Sequence, residues 1–192
     1  MAEVLGKAVY ATAFHGKWHL GDIEESYPHK QGFDEAFFTG YNQILSLNTR
    51  MAEGANASMG LYEDMLPEDP YKLDDTFITK GWVQIAEGTR GGETRIWGDN
   101  THDTYMKIDA EAQDRTIEFI ERQHKAGKPF FVWWNATRMH FRTHIKEETK
   151  GLSGQGFYND GMVEHDGHVG QLLDKLDELG IAEDTIVMYS TD

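Results

Sequence analysis

The apolar run PFFVWW, residues 129–134, stands directly behind a long segment of helical periodicity, TYMKIDAEAQDRTIEFIERQHKAGK. A strand that is apolar at consecutive positions needs cover on both faces, as in a parallel sheet sandwiched by helices. Two further runs share the property, AVYATAF near the start and TIVMYS at residues 185–190. Between the second and third runs lies another helical pattern, DGMVEHDGHVGQLLDKLDELG. There Val169, Leu172, Leu173, Leu176 and Leu179 make an apolar stripe, and Gly180 is placed to cap the C-terminus. Strand, helix, strand, helix, strand of this kind predicts an α/β fold, a mostly parallel sheet flanked by helices.

The stretch from about residue 45 to 103 has little periodicity and is rich in Gly, Asp, Glu and Asn, with strand candidates only at GWVQIAEG and GETRIWG. A connection of that length is expected to be an irregular excursion carrying small hairpins beside the main sheet. The chain enters a core strand almost at once and stops on Asp192 straight after another. Residues 1–192 are therefore expected to be a partial domain, an interior piece of a larger one.

Charge and composition remove several functions. Acidic residues number 33 against 18 Lys and Arg, a formal charge of -15, which repels nucleic-acid phosphates. No run of about 18 apolar residues is present, so no membrane span is expected. Cys is absent, which excludes disulfides and thiolate catalysis from this chain. The N-terminal MAEVLGKAVY lacks the apolar core of a secretory signal.

In open α/β sheets ligands collect beyond the carboxyl ends of the strands. Three strand ends here carry polar groups: Lys17 and His19, then His140, then Asp192. In HGKWHLG, strand alternation would turn Lys17 and His19 to one side and Trp18 to the other, a cation and an imidazole suited to a small anion. Arg138 and Arg142 either offset the acidic surface or bind an anion. His144 is a further candidate for substrate contact.

FHGKWHLG, GFDEAFFTG, FFVWWNATRMH and VGQLLDKLDELGIAEDTIVMYSTD, in this order, resemble the sulfatase (arylsulfatase) family. Its members hydrolyse sulfate esters on an alkaline-phosphatase-like fold. The resemblance implies that Lys17 binds sulfate oxygens and that His19 contacts a formylglycine hydrate and helps its later breakdown. It also implies that His140 sits at the ester oxygen as anion ligand or leaving-group acid, and that Asp192 is a carboxylate on a divalent metal, calcium in most cases. The implied partner of the parent is a sulfate ester, either a small molecule or a sulfated glycan, and the implied location is periplasmic or secreted.

The family's Cys/Ser-x-Pro-x-Arg motif, precursor of formylglycine, is absent, as is the early aspartate pair that binds the metal. Met139 stands where proline is common before His140, and Arg142 where a second proline is expected. One carboxylate cannot replace the roughly six to eight oxygens calcium prefers. The expected function is thus a portion of a sulfate-ester hydrolase, inactive in isolation and prone to self-association through bare strand edges. The alternative is a noncatalytic anion-binding or interaction domain on the same fold.

Other polar residues read more plainly. Trp18 is expected in the core. His165 and His168 are expected on a solvated helix face, and Asp109 in a structural or surface role. Asp160 is expected as the N-cap of the last helix.

Overall fold

The computed structural model describes residues 1–21, 23–40, 85–98, 102–139 and 145–191. Its frame is built on β1 (Ala11–Lys17), which pairs in parallel with β2 (Glu35–Thr39) on one side and with β5 (Phe130–Asn135) on the other. Beyond β2 lie β3 (Ile85–Thr89) and β4 (Arg95–Gly98), each antiparallel to its neighbour, giving the order β4-β3-β2-β1-β5. The sheet is mixed: β1 and β5, from the runs AVYATAF and PFFVWW, and β2, from the aromatic segment GFDEAFFTG, are parallel, and the two strand candidates of the irregular stretch extend it as a hairpin.

Alternation along the strands sorts side chains onto two faces. Ala11 and Ala13 of β1 pack with Phe119, while Phe37 and Ile85 pack with Ile108 and Ala112. These helical residues belong to α2 (His102–Lys125), the long periodic segment after β4. Phe14, Ala36, Phe38 and Ala86 face the other way and join Trp18, Phe33 and Ala2. Ala2 is carried by a short helix, α1 (Ala2–Lys7), so the chain does not enter a strand at once as expected. A last helix, α3 (Phe157–Glu178), packs against α2. Gly180 follows it with φ 66, the left-handed conformation that closes a helix and that glycine adopts without strain.

Two expectations fail. Residues 185–190 are not a buried strand: Ile186 is 89% and Met188 81% exposed, and no ladder partner stands beside them among the described residues. An apolar run becomes a strand only where another strand accepts its backbone groups. Asp160 is not an N-cap either, because Gly156 holds that position. The buried Asp160 carboxylate instead accepts from the Gly151 and Ser153 amides at 2.8 and 2.9 Å and from the Ser153 hydroxyl at 2.6 Å, folding the preceding loop onto the helix.

Candidate functional site

Because β2, β1 and β5 are parallel, their carboxyl ends share one edge of the sheet. β1 ends there at Lys17, opposite Thr39, and β5 ends at Asn135, opposite Gly16. The seam is unusually tight. A Cβ on Gly16, whose φ is 116, would lie 1.9 Å from the Asn135 carbonyl oxygen, so only glycine fits. The Asn135 side-chain amide then donates to the Lys17 carbonyl at 2.6 Å, fixing the lysine backbone against the end of β5.

The pairing with β2 continues past the end of β1, since the Trp18 and His19 amides donate to the Thr39 and Gly40 carbonyls, each at 2.9 Å. Trp18 is buried, packs edge-on against Phe14 with centroids 4.8 Å apart, and donates its indole N–H to the Ser26 carbonyl at 2.8 Å. This is the core role expected of it. Lys17 beside it is half-buried, and among the described residues its ammonium has no ion-pair or hydrogen-bond partner. His19 is exposed with φ 44. That value turns the chain out of the extended conformation, so simple strand alternation stops at Trp18 and does not by itself align His19 with Lys17.

His140, Arg142, His144 and Asp192 lie outside the described residues. The structure does place Arg138, and it lies in the interior rather than at the open edge. Its Nε donates to Asp109 Oδ2 at 2.8 Å, and its Nη1 lies 2.7 Å from Glu164 Oε1, with all three side chains almost wholly buried. Asp109 comes from α2 and Glu164 from α3. His165 and His168 of α3 are buried beside this group, not solvated as expected. His165 stacks on Trp134, with centroids 5.7 Å apart. Burial pushes both imidazoles below their ordinary value of 6.5; the Asp109 charge opposes the shift and Arg138 assists it. The available signal is the run Asp160, Glu164, His168, polar groups four apart on one helix face, together with an arginine close behind the apolar run FFVWW, which needs a counterion if it turns inward.

His15, within the same HGKWHLG run, carries no signal in the sequence that sets it apart from its neighbours. It is 1% exposed, between α2 and β2. His15 Nδ1 and the Thr116 hydroxyl share a hydrogen bond of 2.8 Å, and Nε2 lies 3.7 Å from Glu35. Burial lowers its pKa despite the Glu35 carboxylate. It is a buried core histidine anchored by Thr116.

The sulfatase family model matches residues 1–192, the whole chain. The chain belongs to the sulfatase family. It is 28% identical over 193 residues to the N-acetylgalactosamine-6-sulfatase of Rattus norvegicus, covering 100% of this chain and 32% of that protein. It is 26% identical over 198 residues to arylsulfatase G of the same species, with 100% and 35% covered. The crystal structure of the PsFucS1 sulfatase from Pseudoalteromonas sp. superposes with a TM-score of 0.71 at 26% identity, over 93% of this chain and 34% of that one. The fold is thus the alkaline-phosphatase-like fold of the sulfatases, and the chain spans about a third of the length of the curated relatives it matches.

The family implies two groups, a divalent metal and a formylglycine nucleophile. Among the described residues no three His, Asp or Glu side chains come together as a cation shell. The sequence has neither Cys nor a Ser-x-Pro-x-Arg run from which formylglycine could be made. The described residues thus do not by themselves assemble a metal shell, and no formylglycine precursor motif occurs in residues 1–192. Among the described residues no helix is long and apolar enough to cross a membrane.

Proposed function

We propose that this chain is the anion-receiving portion of a sulfate-ester hydrolase, with Lys17 as the primary ligand of the sulfate oxygens. The observation that carries the reading is Lys17 itself, a half-buried cation without a partner among the described residues, at the carboxyl edge shared by β1, β2 and β5. An ammonium offers three N–H donors to an oxyanion, and partial burial strengthens each of them. Within a chain of charge -15, such a site also provides local attraction that the overall field does not.

In this reading His19 and His140 complete the polar lining. His140 serves the ester oxygen, as ligand or as donor of the leaving-group proton, with Arg142 and His144 as further substrate contacts. Formylglycine as nucleophile and a divalent ion, calcium in most cases, belong to the parent, with Asp192 as one ligand. A sulfate ester or a sulfated glycan is the parent's substrate class, and a periplasmic or secreted location would suit it. Family membership supports the chemistry, and the strand-end geometry supports the role of this portion.

The test is a titration of the 15N-labelled chain with sodium sulfate at constant ionic strength, with chloride as control. Saturable shifts are expected at the Lys17, Trp18 and His19 amides, and Lys17→Ala should weaken binding by about tenfold or more, the loss of charge-assisted hydrogen bonds. The purified chain should not turn over an aryl sulfate even with calcium supplied. Sulfate binding that ignores Lys17→Ala, or none beyond the chloride control, would overturn the anion-site reading. Anion binding that shows no preference for sulfate or its esters would favour a noncatalytic anion-binding domain.

A further inference from the structure

The chain leaves β5 at the site edge, and residues 137–138 and 145–149 flank the part that is not described. Both flanks are tied to the same buried charges. On the first, Asp109 accepts from the Thr137 amide at 2.7 Å through one carboxylate oxygen and from Arg138 Nε at 2.8 Å through the other. On the second, Glu164 Oε2 accepts from the Lys146 amide at 3.0 Å and from the Thr149 hydroxyl at 3.2 Å. Arg138 joins them, because its Nη1 lies against Glu164 Oε1. One guanidinium therefore links a carboxylate of α2 to a carboxylate of α3, and each carboxylate also grips backbone.

This junction is a poor way to gain stability. Removing three charges from water is expensive, and an apolar cluster of the same volume serves stability as well or better. Most of the buried side-chain atoms without a hydrogen-bond partner among the described residues gather at this junction: Trp134 Nε1, Thr137 Oγ1, Arg138 Nη1, Glu164 Oε1, His165 Nδ1 and His168 Nδ1. The Arg138–Glu164 contact is close but badly angled for a hydrogen bond, which is why its two atoms belong to that set. What the arrangement does supply is direction at Asp109, whose carboxylate accepts from both the Thr137 amide and Arg138 Nε. It also supplies a charge link from Arg138 to Glu164, which itself accepts from the Lys146 amide and the Thr149 hydroxyl.

We propose that Asp109, Arg138 and Glu164 are positioning residues, one buried clamp that holds residues 137–138, just after β5, and residues 145–149 in fixed register with each other. The clamp is a property of this chain alone. Its consequence for sulfate rests on the function proposed above.

The experiment is amide hydrogen exchange on the full chain, read at Thr137 and Lys146, with Phe14 and Phe37 as sheet references. Glu164→Gln removes the charge at the second flank. It should speed exchange at Lys146 and also at Thr137, by about tenfold or more each, with the references unchanged. Asp109→Asn should do the same in reverse, reaching Lys146, and Arg138→Met should release both. Faster exchange confined to the flank whose own carboxylate was changed would overturn the clamp. So would an equal increase at the references, which would make the triad a general stabiliser. Sulfate titration adds the functional readout: Glu164→Gln should weaken binding in the parent chain but add nothing in a His140→Ala background. If the chain binds no sulfate at all, the function proposed above fails, while the exchange data still decide the clamp.

Discussion

The two flanks of β1 are built on different physics. Toward β2 and the β3–β4 hairpin, strand pairing is continuous and Phe37, Phe38 and Ile85 are almost wholly excluded from solvent. The outer ion pairs there, Arg115 with Glu87 and Glu111, and Arg95 with Glu87, decorate that core at its rim. Toward β5 the sheet reaches an edge strand, Trp133 is 42% exposed, and the neighbouring helix presents Asp160, Glu164, His165 and His168 inward. Further on, the apolar residues 186–189 stand in solvent. Apolar burial tolerates small displacements with small losses, whereas buried charges demand defined angles. The flank that carries the candidate site is the one organised by direction.

The seam between β1 and β5 is where that contrast breaks most sharply. Gly16→Ala would drive a methyl group into the Asn135 backbone, which cannot rotate away as a side chain could. We expect a loss of about 4 kcal/mol or more, or failure to fold, in urea unfolding. The same substitution at Gly127, where an added Cβ meets nothing within 4 Å, meets only the φ penalty and should cost about 1–2 kcal/mol. Equal losses at the two positions would show that the seam is not as tight as its geometry.

Acid should divide the flanks next. His165 and His168 have folded-state pKa values below 6.5 because burial disfavours the imidazolium, and the unfolded chain therefore binds protons first as pH falls. Stability is complete above about pH 6.5 and declines below it, through the folded-state values. The groups facing the pair are Asp109 of α2, Arg138 after β5, Lys146, and Glu164 and Asp166 of α3 itself. His165→Phe with His168→Leu should flatten the pH dependence of the unfolding midpoint as pH falls below about 6.5, relative to the unsubstituted chain. His15 and His29 are also lowered by burial, so a residual slope should remain from the opposite flank. An unchanged slope in the double variant would place the acid sensitivity there entirely.

The smallest effect on stability belongs to the exposed segment. Ile186→Ser with Met188→Ser should change unfolding free energy by no more than about 0.5 kcal/mol, because both side chains already face water. Association is a separate quantity. Salt screens the repulsion of a chain of charge -15, so light scattering should rise with ionic strength in the parent chain and rise less in the variant. Identical scattering from both would mean that the exposed apolar run is not what brings copies together.

The sequence by itself determined the α/β layering, because runs such as FFVWW and AVYATAF favour a sheet covered by helices, and α2 follows from its periodicity. It also determined the family, through the ordered segments from HGKWHLG to TIVMYSTD, and the carboxyl-edge location of Lys17, which needs only parallel strands. Tertiary structure alone decided the rest. TIVMYS has the composition of a strand, but strands are made by neighbours and the described chain gives it none. His165 and His168 have the spacing of a solvated helix face, but the face they share with Glu164 is turned inward by Arg138. Arg138 sits in the sequence among candidate anion ligands, and two buried carboxylates from separate helices claim it. Local pattern specifies which groups prefer to leave water, while the pairing of long-range charges depends on where three separate elements happen to meet.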